Sequence, residues 1–179
     1  MFETLQRHKS FYIFESILFI ILGMLAIGLP MLFTFATTIF IGWILIAAGI
    51  WQIVSVLKTK HSWEFFWFLI NSIVTIIAGG LLIFYPVLGA VTLTALLIAY
   101  FLISGIAKII IGFRSKNLQG WGWLIASGVI SILLSFLIWQ GWPDSALWVI
   151  GLFVGIDLLI FGVSLLTLVL SAPKNNNIN

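Results

Sequence analysis

Apolar residues run in six long stretches, and charges, prolines and turn-forming residues gather in the breaks between them. The stretches cover about 11–29, 33–57, 65–84, 88–113, 121–139 and 145–170. Each approaches the roughly 20 residues that an α-helix needs to cross a hydrocarbon core of about 30 Å. A helix also satisfies its own backbone hydrogen bonds where no water is available. The pattern therefore predicts an all-α integral membrane protein with six transmembrane helices, arranged as three tandem helical hairpin repeats. The expected organisation is a cytoplasmic N-terminal segment over 1–10, then a single six-helix transmembrane domain over 11–170. Its hairpin repeats are 11–57, 65–113 and 121–170, and 171–179 form a disordered cytoplasmic tail. The first stretch follows Arg7 and Lys9, as a secretory signal would. Its apolar run exceeds the about 7–15 residues of such a signal, and no convincing small-x-small cleavage site follows, so retention is expected.

The breaks alternate in character. Pro30-Met31, Tyr85-Pro86-Val87 and Gln140-Gly141-Trp142-Pro143-Asp144 are short turns without Lys or Arg. The opposite ends carry Arg7 and Lys9, Lys58 and Lys60, Arg114 and Lys116, and Lys174. Lys108 lies about a turn inside the fourth span on that same side. An excess of Lys and Arg marks cytoplasmic loops, which predicts both termini in the cytoplasm. Trp63, Trp67, Trp121 and Trp123 fall at the basic ends, and Trp139, Trp142 and Trp148 at the others, as interfacial tryptophans do. Trp43 and Trp51 lie deeper and are expected to pack between helices.

The hairpins repeat one another. Gly23 aligns with Gly79, Pro30 with Pro86 and Gly49 with Gly105, at a constant offset of 56 residues. The third copy takes one extra residue before Pro143, so Gly105 aligns with Gly162 at an offset of 57. Phe11, Trp67 and Trp123 share a slot, as do Glu15, Asn71 and Ser127. Proline ends one helix and starts the next because it lacks an amide donor and fixes φ. Glycine in the return helix permits close backbone approach. Three hairpins of equal orientation are parallel repeats, unlike the inverted repeats common in alternating-access carriers.

Composition narrows the function. Hydrophobic residues make up 63% of the 179 and charged residues 7%, against roughly 25% charged in soluble domains; mean hydropathy is +1.27. The net charge of +3 is scattered, so no basic face for nucleic acid exists. With no cysteine, thiolate metal sites, disulfides and redox pairs are excluded. His8 and His61 are the only histidines, and no metal or other cofactor is expected. No G-x-S-x-G, H-E-x-x-H or phosphate-cradling glycine loop occurs, so the chain reads as a non-enzyme. The bilayer is its expected partner, with a second copy or another membrane protein as further candidates.

The phrases Gly23-Met24-Leu25-Ala26 leading to Pro30, Gly79-Gly80-Leu81-Leu82 leading to Pro86, Gly42-Trp43 to Gly49-Ile50, Ala99-Tyr100 to Gly105-Ile106, Gly151-Leu152 to Gly155-Ile156-Asp157, and Gly162-Val163-Ser164 carry a resemblance. Over about residues 12–170 the chain resembles the HdeD-like family of small bacterial membrane proteins. The resemblance implies a six-helix inner-membrane protein and, from the member that gives the family its name, a tie to acid resistance. The family often places Arg-Gly eight residues before the first-helix glycine. Here those slots hold Glu15-Ser16, Asn71-Ser72 and Ser127-Gly128.

Five polar residues within the spans form the candidate site: Asp157, Glu15, Asn71, Ser127 and Lys108. An acid near mid-span costs about 2.5–3.5 kcal/mol on insertion scales. Asp157 is therefore read either as a proton-binding or path-lining group or as a hydrogen-bonded tie between helices. Glu15 and Lys108, each about a turn inside the basic end, either pair or extend separately to the headgroups. Glu15, Asn71 and Ser127 share one depth, as a polar constellation around a pseudo-threefold axis or as interhelical hydrogen-bond ties. The threonines Thr34, Thr37, Thr38, Thr75, Thr92 and Thr94 are expected to bond back to their own helices. The leading expectation is a structural protein of acid or envelope stress resistance; the alternative is a small channel or carrier for protons or a small neutral solute.

Overall fold

The computed structural model describes residues 9–56, 62–116 and 119–171. All regular structure among them is helical: α1 (Lys9–Gly28), α2 (Pro30–Val56), α3 (Ser62–Phe84), α4 (Pro86–Arg114), α5 (Trp121–Gln140) and α6 (Val149–Ser171), with a 3-10 turn over Asp144–Leu147 before α6. All six are long and apolar enough to cross a membrane. His8, His61, the side chain of Trp63 and the tail from residue 172 lie outside the described residues.

The proline turns are tighter than the spans read from hydropathy. Pro30 and Pro86 are themselves the first residues of α2 and α4, where a missing amide hydrogen costs nothing. Pro143 does not play this part. The extra residue in the third copy extends the connection. There the Ser145 amide donates to the Gly141 carbonyl at 2.8 Å and the Ser145 hydroxyl to the Ile138 carbonyl at 2.8 Å. At the other end of α5, Gly120 takes φ 93°, a left-handed conformation that glycine adopts without steric cost.

The chain forms two compact units. One joins the described residues up to Phe33 with those from Ile150 onward, and the other runs from Thr34 to Val149. In the second unit, α2 packs on α3 through a reciprocal glycine contact. A Cβ built on Gly42 would stand 2.8 Å from the Gly79 carbonyl oxygen, and one on Gly79 would stand 2.7 Å from that of Gly42. Seven residues along, Gly49 meets Ile76 and the Ser72 carbonyl. Between α4 and α5, Gly105 and Gly128 make the reciprocal contact, at 2.8 Å each way, and Gly112 meets Ile125. In the first unit, α6 packs on α1 in the same manner: Gly155 against Gly23, and Gly162 against Ile20 and the Ser16 carbonyl.

Each of these seams joins the return helix of one hairpin to the first helix of another, α2 to α3, α4 to α5 and α6 to α1. Lipid tails are as apolar as leucine, so contact area and small residues hold such helices together. The repeat slots explain the variations. Gly23, Gly79 and Ser135 are equivalent, as are Gly42, Ile98 and Gly155. Where Ile98 and Ser135 replace the glycine pair, the Ser135 hydroxyl donates to the Ile98 carbonyl at 3.0 Å. Ser16 and Ser72 are fully buried and donate to Tyr12 and Phe68 of their own helices.

The α3–α4 hairpin meets most closely near its proline turn, where Gly89 lies against Leu82 and Thr38. A groove of about 320 Å³ runs beside this contact, lined by Leu45, Ala78, Leu81, Tyr85, Leu93 and Leu96 among others. Trp67, Trp121, Trp123, Trp139, Trp142 and Trp148 are all exposed, as interfacial residues should be. Trp43 and Trp51 are 60% and 72% exposed. They face outward, contrary to the packing role expected of them, because glycine rather than aromatic volume fills the α2–α3 seam.

Candidate functional site

The α4–α5 seam has two unlike sides. On one, Ile98, Leu102, Ile132, Ser135, Phe136 and Trp139 line an apolar groove of about 380 Å³. Lys108, six residues beyond Leu102, sits roughly 120° round the helix at about 100° per residue. Its Nζ donates to the Ser131 hydroxyl at 3.2 Å. Ser131 in turn donates to the Ser127 carbonyl at 2.8 Å, and the Ser127 hydroxyl to the Leu124 carbonyl at 2.9 Å.

The ammonium points toward the turn end of the bundle rather than the basic end. Helical side chains tilt toward the N-terminus of their helix, and the N-terminus of α4 is Pro86. The amine reaches inward to a hydroxyl rather than outward to the headgroups.

The α2–α3 seam carries an uncharged version of the same arrangement. Asn71 Nδ2 donates to Gln52 Oε1 at 3.1 Å, and the Thr75 hydroxyl donates to the Asn71 carbonyl at 2.7 Å. In the repeat, Gln52 is equivalent to Lys108, Asn71 to Ser127, and Thr75 to Ser131. Asn71 and Ser127 therefore serve separate seams and bond to different partners, the one across helices and the other within its own. Replacing Asn71 with leucine is expected to lower stability by about 0.6 kcal/mol, the average for interhelical hydrogen bonds in a membrane. Denaturation in detergent checks this, with Gln52→Leu giving a matching loss and the double variant less than their sum.

Glu15 is half-buried on α1 in the other unit, one residue from buried Ser16. The slot that holds Gln52 and Lys108 elsewhere holds Leu165 in α6, and the flank of that seam is apolar: Phe19 meets Phe161 edge-on at 5.0 Å. Asp157 is exposed. It lies two residues past Gly155, so it points away from the α6–α1 seam, and no hydrogen bond to its carboxylate occurs among the described residues of its unit.

Thr38, Thr75 and Thr92 bond back to their own helices as expected. Thr94 is fully buried, and its hydroxyl finds no partner among the described residues. No cluster of three potential metal ligands occurs among them. Gln52 and Ser131 escaped the sequence reading. The repeat offset was the signal: carried from Lys108 and Thr75, it lands on both.

Six membrane-crossing helices, knitted by small-residue seams that recur every 56 residues, define a multi-pass membrane protein built from tandem repeats. The family described as a short repeat of unknown function (DUF308) matches residues 14–84 and again 70–140. The two matches are displaced by the same 56 residues, and each takes in a hairpin plus the first helix of the next, hence one proline turn and one seam. The chain belongs to this family and is an HdeD-like protein. It is 25% identical over 169 residues to Protein HdeD of Escherichia coli (strain K12), covering 91% of this chain and 87% of that protein. Protein HdeD of Escherichia coli O157:H7 and of Shigella flexneri match to the same extent. No solved structure matches the chain.

Proposed function

We propose that this protein is a bacterial inner-membrane component of acid or envelope stress resistance, acting without catalysis, with both termini in the cytoplasm. The observation that carries the reading is the length of the similarity to Protein HdeD, which spans 91% of this chain and so takes in all three hairpins rather than one. The resemblance ties that family to acid resistance. The architecture supports a structural role. Within each unit the helices meet through small residues and backbone, and the polar side chains of the α2–α3 and α4–α5 seams bond across them. Action then runs through packing and through contact with a second copy or another membrane protein. Survival after acid challenge is the test. Loss of the gene lowers survival and a plasmid copy restores it; an unchanged survival curve overturns the reading.

A further inference from the structure

Within α4 and α5 themselves every charged residue is basic. Residues 65–143 contain no Asp or Glu, yet they contain Lys108, Arg114 and Lys116. The unit's two acids fall outside this stretch, Glu64 in the first turn of α3 and Asp144 beyond the far end of α5. An ammonium has three hydrogens to donate. Among the described residues of this unit, Ser131 takes one, and Ser131 spends its own hydrogen on the Ser127 carbonyl.

Comparison of the two seams sharpens the point. In α2–α3 the equivalent slot holds neutral Gln52, and Asn71 satisfies it. In α4–α5 the slot gains a full charge while the opposing residue shrinks to Ser127, whose hydroxyl is turned to its own helix. A half-buried cation inside a span, short of acceptors, is costly and marks a functional position.

We propose that Lys108, held in place by Ser131, binds a phosphate-type oxyanion that enters from the basic end of the α4–α5 seam. Lys108 lies six residues, about 9 Å, inside Arg114. Arg114 and Lys116 are exposed at that end and raise the local concentration of anions without touching the bound group. An oxyanion accepts the two remaining ammonium hydrogens through charge-assisted bonds, which are the strong ones. Two sources share this chemistry: the phosphodiester of an anionic phospholipid in the adjoining leaflet, and a free phosphate.

The experiment uses the full chain and Lys108→Gln, purified in neutral detergent. Glutamine already occupies this slot in the preceding repeat, so the variant should keep the parent's unfolding midpoint when no anion is added. One arm adds phosphatidylglycerol against phosphatidylcholine; the other adds inorganic phosphate against chloride. The expected result is a stabilising response to phosphatidylglycerol or phosphate whose apparent affinity falls about tenfold in Lys108→Gln, as loss of one charged hydrogen-bond partner implies. Lys108→Arg should retain it. A response to the lipid alone assigns the headgroup, and a response to phosphate alone assigns the free anion. Equal responses in wild type and Lys108→Gln, or none in wild type, overturn the proposal.

Discussion

Replacing Gly105 with valine is expected to destabilise the folded protein by about 3 kcal/mol or more. A Cβ at this position would stand 2.8 Å from the Gly128 carbonyl oxygen and 2.7 Å from Cγ1 of Ile132. The first is backbone and cannot swing aside. Valine adds two further methyl groups, so α4 and α5 must separate along a seam that runs from Ile98 and Ser135 to Gly112 and Ile125. Dispersion is what holds the seam, and a gap of half an ångström to one ångström already forfeits a quarter to a half of each contact. Overpacking typically costs about 1–3 kcal/mol, and an unyielding backbone puts Gly105→Val at the top of that range or beyond. Gly80→Val and Gly122→Val are the controls. A Cβ at either meets nothing within 4 Å, and valine is a better helix former than glycine, so both should match the parent within about 0.5 kcal/mol. Size-exclusion profile and unfolding midpoint in detergent decide it. Equal behaviour of all three variants would mean that α4 and α5 do not meet at Gly105.

The second prediction is all-or-none and tests the proposed orientation. The chain has no cysteine, so single cysteines report position directly. In right-side-out membrane vesicles a membrane-impermeant maleimide should label Asp144→Cys fully. It should leave Lys116→Cys untouched until the membrane is opened. Both native residues are exposed, so access alone separates them. The argument is the charge asymmetry of the spans: Lys9, Lys108, Arg114 and Lys116 all lie toward one end, and the proline turns hold no Lys or Arg. Each such residue within about 15–20 residues of a span counts toward the cytoplasmic side. The opposite labelling pattern would invert the topology, and labelling of both cysteines in closed vesicles would indicate insertion in two orientations.

The spans were legible because crossing a bilayer requires long apolar runs, and no other element in this chain competes with them. The repeat was legible from Pro30, Pro86 and the glycines at equal offsets. The partner of each glycine was not. Gly49 and Gly105 announce close approach, but a stripe of small residues carries no label for the helix it meets. Only the structure shows that α2 turns to α3, and α4 to α5. The third turn departed from the pattern at Pro143, where one inserted residue was visible but its conversion into a 3-10 turn was not. Trp43 and Trp51 misled because depth along a span says nothing about which way a side chain faces. For Lys108 the information was present. The direction of α4 fixes the tilt of its side chains, and that tilt sends the amine inward to Ser131.

The pairing of α1 with α6 has a consequence for biosynthesis. The second unit is a continuous piece of chain, so α3 can dock on α2, and α5 on α4, as soon as each is inserted. The first unit is discontinuous. Gly23 leaves the ribosome about 130 residues ahead of Gly155, which at about 5–20 residues per second is on the order of ten seconds. For that interval the small-residue face of α1, Ser16 and Gly23 included, lies in the bilayer without its mate. The helix that inserts first completes its packing last, and a ribosome that stalls before α6 leaves behind a chain whose leading helix has nothing of its own to close on.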